Sequence, residues 1–171
     1  MKCILASQSP RRRELMEHLD IPFTVFPADI DETMDLSRDP RQEAARVSLA
    51  KARAVPAEPQ DVVIGADTIV VCDGRVLGKP HSPQEAEEML RLLSGRTHEV
   101  MTGLSVIRGS REKVMTQATK IRFRPLSERE ISRYVAGGEP MDKAGAYGIQ
   151  GGAALFVEEI QGDYFNVVGL P

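Results

Sequence analysis

The chain has 171 residues, 42% hydrophobic and 27% charged, which is the profile of one soluble globular domain, 1–171, with a sizeable core. Its 22 basic and 25 acidic side chains leave a formal charge of −3, and tryptophan is absent. Neither a surface that neutralises duplex nucleic acid nor a stacking platform for single strands is supplied. The longest apolar run, Ile69-Val70-Val71-Cys72, is far too short to cross a bilayer, and Arg11, Arg12 and Arg13 follow the N-terminal apolar patch too closely for a signal peptide.

In chain order, Cys3 to Ala6 reads as a short buried strand, and Ser9-Pro10 caps a helix that runs to about Leu19. Phe23 to Phe26 is extended, and Pro27 to Pro40 is an acidic, polar loop. Gln42 to Val55 is helical, with Ala45, Leu49 and Ala52 recurring at three- and four-residue steps. Val62 to Val71 is a strand, and Asp73-Gly74 turns it into a hairpin with Val76-Leu77. Ser82-Pro83 starts a helix that ends near Leu93, before Gly95. Thr97 to Arg108 and Lys113 to Arg124 alternate as two strands joined at Gly109-Ser110. Leu126-Ser127 opens a helix that stops before Gly137-Gly138. The glycine-rich remainder returns to strand around Leu155 to Val157. Hairpins beside crossovers make the class α/β with a mixed sheet. Cys3 and Cys72 lack CxxC spacing and read as reduced, buried thiols of a cytosolic protein.

Three places resist a purely structural reading. The first is Ser7-Gln8-Ser9-Pro10-Arg11-Arg12-Arg13. The positive end of the helix dipole favours acids, so three arginines in that turn either surround a phosphate or fan out to water and the Asp29–Asp31–Glu32 loop. The second is Asp67-Thr68, inside the apolar stretch Val62 to Val71. An ionised carboxylate there is either a paired structural acid or a ligand for a hard divalent cation. Gly65 and Ala66 before it leave room for a ligand to approach the strand end. The third is Gly78-Lys79-Pro80, where the chain doubles back, so that Lys79 either stays in solvent or returns towards Asp67. Lys51, in Ala50-Lys51-Ala52-Arg53, reads as ordinary helix surface. His18, His81 and His98 share no ligand spacing, and no dinucleotide or P-loop glycine motif occurs.

These pieces, taken in order, resemble the Maf family of nucleoside triphosphate pyrophosphatases. The resemblance runs through Leu5-Ala6-Ser7-Gln8-Ser9-Pro10-Arg11-Arg12, Ala50-Lys51-Ala52, Gly65-Ala66-Asp67-Thr68, Gly78-Lys79-Pro80 and Leu93-Ser94-Gly95. It continues from Asp142 through Lys143-Ala144-Gly145-Ala146-Tyr147-Gly148-Ile149-Gln150-Gly151 to Val168-Gly169-Leu170-Pro171. Family members usually run on past that point into a further helix. The resemblance implies an elongated mixed sheet flanked by helices, related to inosine triphosphate pyrophosphatases. It implies a cytoplasmic homodimer that keeps non-canonical nucleotides out of nucleic acid, with a nucleotide as its small-molecule partner and neither nucleic acid nor membrane. Asp67 would be the catalytic acid, with Ser7, Arg11, Arg12, Lys51 and Lys79 around the phosphates. Asp67 and Glu32 would hold Mg²⁺ or Mn²⁺. Lys143 to Gln150 is similar to the subgroup acting on dTTP, UTP and modified uridine triphosphates, with Arg11, Thr68 and Gln150 at the positions associated with that choice. Gln150 offers both a donor and an acceptor to a pyrimidine edge. The competing readings are a nucleotidyltransferase, which would have a glycine-rich loop where Ser7-Gln8-Ser9-Pro10 has none, and a nucleotide sensor that does not cleave.

Overall fold

The computed structural model describes residues 1–171, and the order of its elements follows from where apolar alternation is interrupted by caps and turns. Strands β1 (Cys3–Ala6), β2 (Phe23–Val25), β3 (Val62–Cys72), β4 (Arg75–Leu77), β5 (Thr97–Arg108), β6 (Arg111–Phe123) and β7 (Val157–Gln161) form one mixed sheet. Its order is β2-β1-β3-β5-β6-β7, and β4 pairs with β3 off that path. The helices are α1 (Pro10–Glu17), α2 (Pro40–Arg53), α3 (Pro83–Leu93), α4 (Glu128–Ala136) and α5 (Tyr164–Val168). The chain contacts separate into two compact units. One comprises Met1–Thr68, Thr102–Gln117 and Gly169–Pro171, the other Ile69–Met101 and Ala118–Val168.

In the first unit β1 is parallel to both neighbours, with Ile4 opposite Thr24 and Val63, and Ala6 opposite Gly65. Both faces of β1 are covered, which is why Cys3-Ile4-Leu5-Ala6 is continuously apolar. Leu5 packs with Met16, Ala66 and Leu170, whereas Ile4 and Ala6 pack with Ala52, Val55 and Val63. Helix α2 approaches the sheet very closely. A Cβ on Gly65 would lie 2.2 Å from the Ser48 carbonyl oxygen, and one on Gly103 would lie 2.1 Å from that of Ala44. The bareness of Gly65 therefore admits α2 and not a ligand, and Ala66 is fully buried core.

In the second unit Ser82 caps α3 and Ser127 closes a capping box with Glu130 on α4, where Arg124 and Ser127 hold the Glu130 carboxyl at about 2. Asp73 and Gly74 both have positive φ, as the hairpin turn between β3 and β4 requires. His98 is buried among Phe123 and Tyr147, its Nε2 2.8 Å from the Tyr147 hydroxyl. Three short 3₁₀ segments, Glu139–Asp142, Ala144–Ala146 and Gly152–Phe156, follow α4. Leu155 thus belongs to a 3₁₀ turn and the expected strand begins only at Val157; the short helix α5 has no counterpart in the periodicity. No helix is long and apolar enough to cross a membrane. Burial raises the pKa of both thiols, Cys3 and Cys72.

Gly65→Ala and Gly103→Ala should each lower the unfolding free energy by about 1–3 kcal/mol, measured by urea titration, because backbone must retreat from backbone. Burial depresses His98 to about 4. The unfolded chain binds that proton near pH 6.5, so the stability His98 contributes is complete above 6.5 and drains as pH falls from 6.5 to 4. The expected loss over that window is about 3 kcal/mol, and His98→Gln, which keeps a partner for Tyr147 but cannot titrate, should flatten it in denaturation curves taken across pH.

Candidate active site

The strand order β2-β1-β3 makes β1 a switch point, because the chain leaves it to one side for β2 and returns to the other side as β3. Open α/β sheets present their ligand crevices beyond the carboxyl ends of strands at such points. Ser7 directly follows the end of β1, and Asp67 and Thr68 lie two and three residues beyond Gly65, the partner of Ala6.

Alternation along β3 then separates the two polar residues. Asp67 shares a face with Val63 and Gly65, towards α2, and Thr68 shares one with Ala66, towards α1. On the α2 side the Lys51 ammonium lies 2.7 Å from Asp67 Oδ1 and 2.9 Å from Glu32 Oε2. Lys51 and Asp67 are both buried, while Glu32 is 49% exposed. The surface reading of Lys51 is therefore overturned. The buried stripe of α2 is Ala44, Val47, Ser48, Lys51 and Ala52, rotated from the Ala45/Leu49 face expected from periodicity. The signal was present as an i, i+3, i+4 run of small and apolar residues with one lysine in it.

On the α1 side Arg12 is buried and braced through three of its N–H groups. Its Nε donates to the Gly169 carbonyl at 2.8 Å, Nη1 to Ser7 Oγ at 3.2 Å and Nη2 to Thr68 Oγ1 at 2.9 Å. Burial lowers its pKa, an effect that Asp67 opposes and Arg11 reinforces. Thr68 Oγ1 also lies 2.9 Å from Thr102 Oγ1, and Ser7 Oγ accepts from the Ser9 amide at 3.1 Å. Ser9 caps α1 through the Arg12 amide, and Arg11 is half-buried at the first turn. Arg13 turns outward to Glu17 at 3.2 Å and takes no part. Of the partners of Arg12 and Thr68, Thr102 carried no sequence signal, and Gly169 stood only in the Val168-Gly169-Leu170-Pro171 stretch, with no role assigned to it.

Lys79 and Gln150 belong to the second unit, and both are exposed. Gln150 sits in the turn after Gly148, whose amide donates to the Tyr134 hydroxyl at 3.1 Å. No cluster of three or more His, Cys, Asp or Glu side chains suited to a metal occurs. Asp67 and Glu32 converge on one ammonium, and two carboxylates so placed could hold a hard cation. It would complete its shell with water and phosphate oxygens, as Mg²⁺ does.

The first unit thus offers a small anion a capped helix start, arginine and lysine cations and a buried carboxylate within one loop-and-strand neighbourhood. The fold is similar to that of a HAM1 protein from Coxiella burnetii, with a TM-score of 0.50, 15% identity and 91% of each chain covered. A family profile described as Maf-like protein matches residues 2–171, and the chain belongs to that family. A dTTP/UTP pyrophosphatase of Moorella thermoacetica is 56% identical over 173 residues, covering 99% of this chain and 89% of the relative. One of the same description from Symbiobacterium thermophilum is 54% identical, covering 98% and 87%.

Removing the ammonium tests the electrostatics directly. Lys51→Met should cost about 3–5 kcal/mol of stability, because it leaves a buried carboxylate without its partner. Lys51→Met/Asp67→Asn should recover much of that loss. Equal thermal midpoints for the single and double variants would count against charge pairing as the cause.

Proposed function

We propose that this chain hydrolyses dTTP, UTP and modified uridine triphosphates to the nucleoside monophosphate and pyrophosphate, and so keeps non-canonical nucleotides out of nucleic acid. Two relatives more than half identical along nearly the whole chain are described as dTTP/UTP pyrophosphatases. The observation that carries the reading onto this chain is Lys51 held between Asp67 and Glu32, beside the arginine-bearing start of α1.

In the proposed reaction a water oxygen bonds to the α-phosphorus as the bond from that phosphorus to the α–β bridging oxygen breaks. The bridging oxygen leaves with pyrophosphate, and Asp67 takes the proton from water. Three of the five N–H groups of Arg12 are held by the protein, which leaves two for phosphate oxygens. Arg11 and Lys51 add positive charge where the leaving group develops its own negative charge, and the resemblance alone assigns Lys79 the same role. Ser7 supports this through Arg12, and Thr68 fixes the guanidinium from the β3 side. A bound Mg²⁺ or Mn²⁺ on Asp67 and Glu32 would neutralise phosphate charge and polarise the phosphoryl oxygens. The resemblance is what assigns the choice of base to Arg11, Thr68 and Gln150. The reading extends to a cytoplasmic homodimer without nucleic-acid or membrane partners, in keeping with the charge of −3.

Incubation with dTTP, UTP, CTP and ATP in Mg²⁺ or Mn²⁺ should give monophosphate and pyrophosphate from dTTP and UTP, and little from ATP. Asp67→Asn should lower turnover by about 10²–10⁴-fold at a temperature well below its thermal midpoint, which should itself fall because the buried Lys51 ammonium keeps only the half-exposed Glu32. Diphosphate plus free phosphate would misplace the scissile bond. Intact nucleotide bound to the protein would favour the sensor reading.

A further inference from the structure

We propose that Glu43 and Arg46 of α2 are positioning residues that hold the Glu32 loop in place, keeping the Glu32 carboxylate against Lys51 and within reach of Asp67. The inference rests on the proposed function for the role of Glu32, and on geometry for the rest.

Glu32 stands on irregular backbone between β2 and α2, half-exposed at its side chain. A carboxylate so exposed gains about 0–1 kcal/mol from an ion pair, too little to fix a loop by itself. The backbone is fixed from α2 instead. Arg46 Nη2 donates to the Thr33 carbonyl at 2.8 Å, at the residue next to Glu32. Glu43 orients that guanidinium, accepting Nε at 3.1 Å on each oxygen and Nη2 at 2.8 Å. Its Oε2 also accepts the Asp35 amide at 2.9 Å. The loop braces itself between these points. Asp31 accepts the Thr33 amide at 2.9 Å, and Asp35 accepts the Ser37 amide at 3.0 Å and its hydroxyl at 2.6 Å.

Glu43 is 2% exposed, an unusual place for a carboxylate on a helix. Its partner Arg46 is 41% exposed, and an ion pair open to solvent on one side adds little stability, so stability alone does not account for it. An apolar pair, however, could not accept a loop amide and present a guanidinium to a loop carbonyl. The pair specifies where the loop lies. The same helix carries Lys51, so the cation and the carboxylate it meets are set from one rigid element.

The test is a double-mutant cycle in the full chain, with kcat and KM for dTTP and amide hydrogen exchange across residues 31–37. Arg46→Ala should lower kcat/KM by about tenfold to a hundredfold in the parent, as a displaced catalytic group does. In the Glu32→Ala background it should cost less than about twofold, because its effect runs through a residue already removed. Exchange in 31–37 should rise in both backgrounds, and Glu43→Gln should repeat the pattern. Equal losses with and without Glu32, or unchanged exchange, would overturn the positioning role while leaving the pyrophosphatase reading intact. Parental turnover in Glu32→Ala alone, with exchange still raised by Arg46→Ala, would instead overturn the assignment of Glu32.

Discussion

The Lys51 ammonium between Asp67 and Glu32 sets the geometry of the first unit. Two carboxylates facing one point repel each other, and Asp67 is buried, where an unpaired charge costs several kcal/mol. One lysine answers both problems, but only if its helix lies very close to β3. That closeness requires residues without a Cβ where helix meets strand, which Gly65 and Gly103 provide. It also requires Asp67 to fall on the α2 face of β3, which the two-residue repeat of the strand secures. The distance between helix and sheet is therefore as much a consequence of charge pairing as of apolar packing.

The opposite face of β3 solves a different problem. Thr68 and Ser7 present hydroxyl oxygens to one guanidinium, and the Gly169 carbonyl completes its cradle. Arg12 thereby ties the end of β1, the middle of β3 and the C-terminal residues together. Counting Asp67, Glu32, Lys51, Arg11 and Arg12, the neighbourhood carries a single net positive charge. In the proposed reaction a tetra-anionic nucleotide that arrives with a divalent cation shifts that balance by about two charges instead of the roughly four it would bring by itself.

Much of this was legible because it is local. The Ser9 cap, the Asp73-Gly74 turn, the alternation of β5 and the polar pair inside β3 each depend on a few neighbouring residues. What was misread depends on partners far away in sequence. The face of α2 that packs is the one that meets Gly65 and Gly103, which the spacing of Ala45, Leu49 and Ala52 within the helix could not reveal. Lys51 looked solvated because its two counter-charges are 19 residues before it and 16 after it, and only one of them stands out in the sequence. Glu43 and Arg46 drew no reading from the sequence for the same reason. The stretch 139–156 escaped because 3₁₀ turns a few residues long have no period to detect.

The two units use one device to steady residues that stand on irregular backbone. In the first, Glu43 accepts the Asp35 amide beside the loop of Glu32. In the second, Glu139 accepts the Gly152 amide at 3.0 Å and the Tyr134 hydroxyl at 2.9 Å, and that hydroxyl accepts the Gly148 amide. Gln150 lies between those two amides. Glycines at 148, 151 and 152 would ordinarily suggest a mobile segment. Here a Cβ at Gly151 would lie 2.0 Å from Glu139 Oε1, so the missing side chain is what lets a carboxylate reach the backbone. A glycine-rich turn latched in this way is more constrained than one with side chains standing in water, because its amides have fixed acceptors. Such a turn can hold an exposed glutamine in place without a helix or strand beneath it.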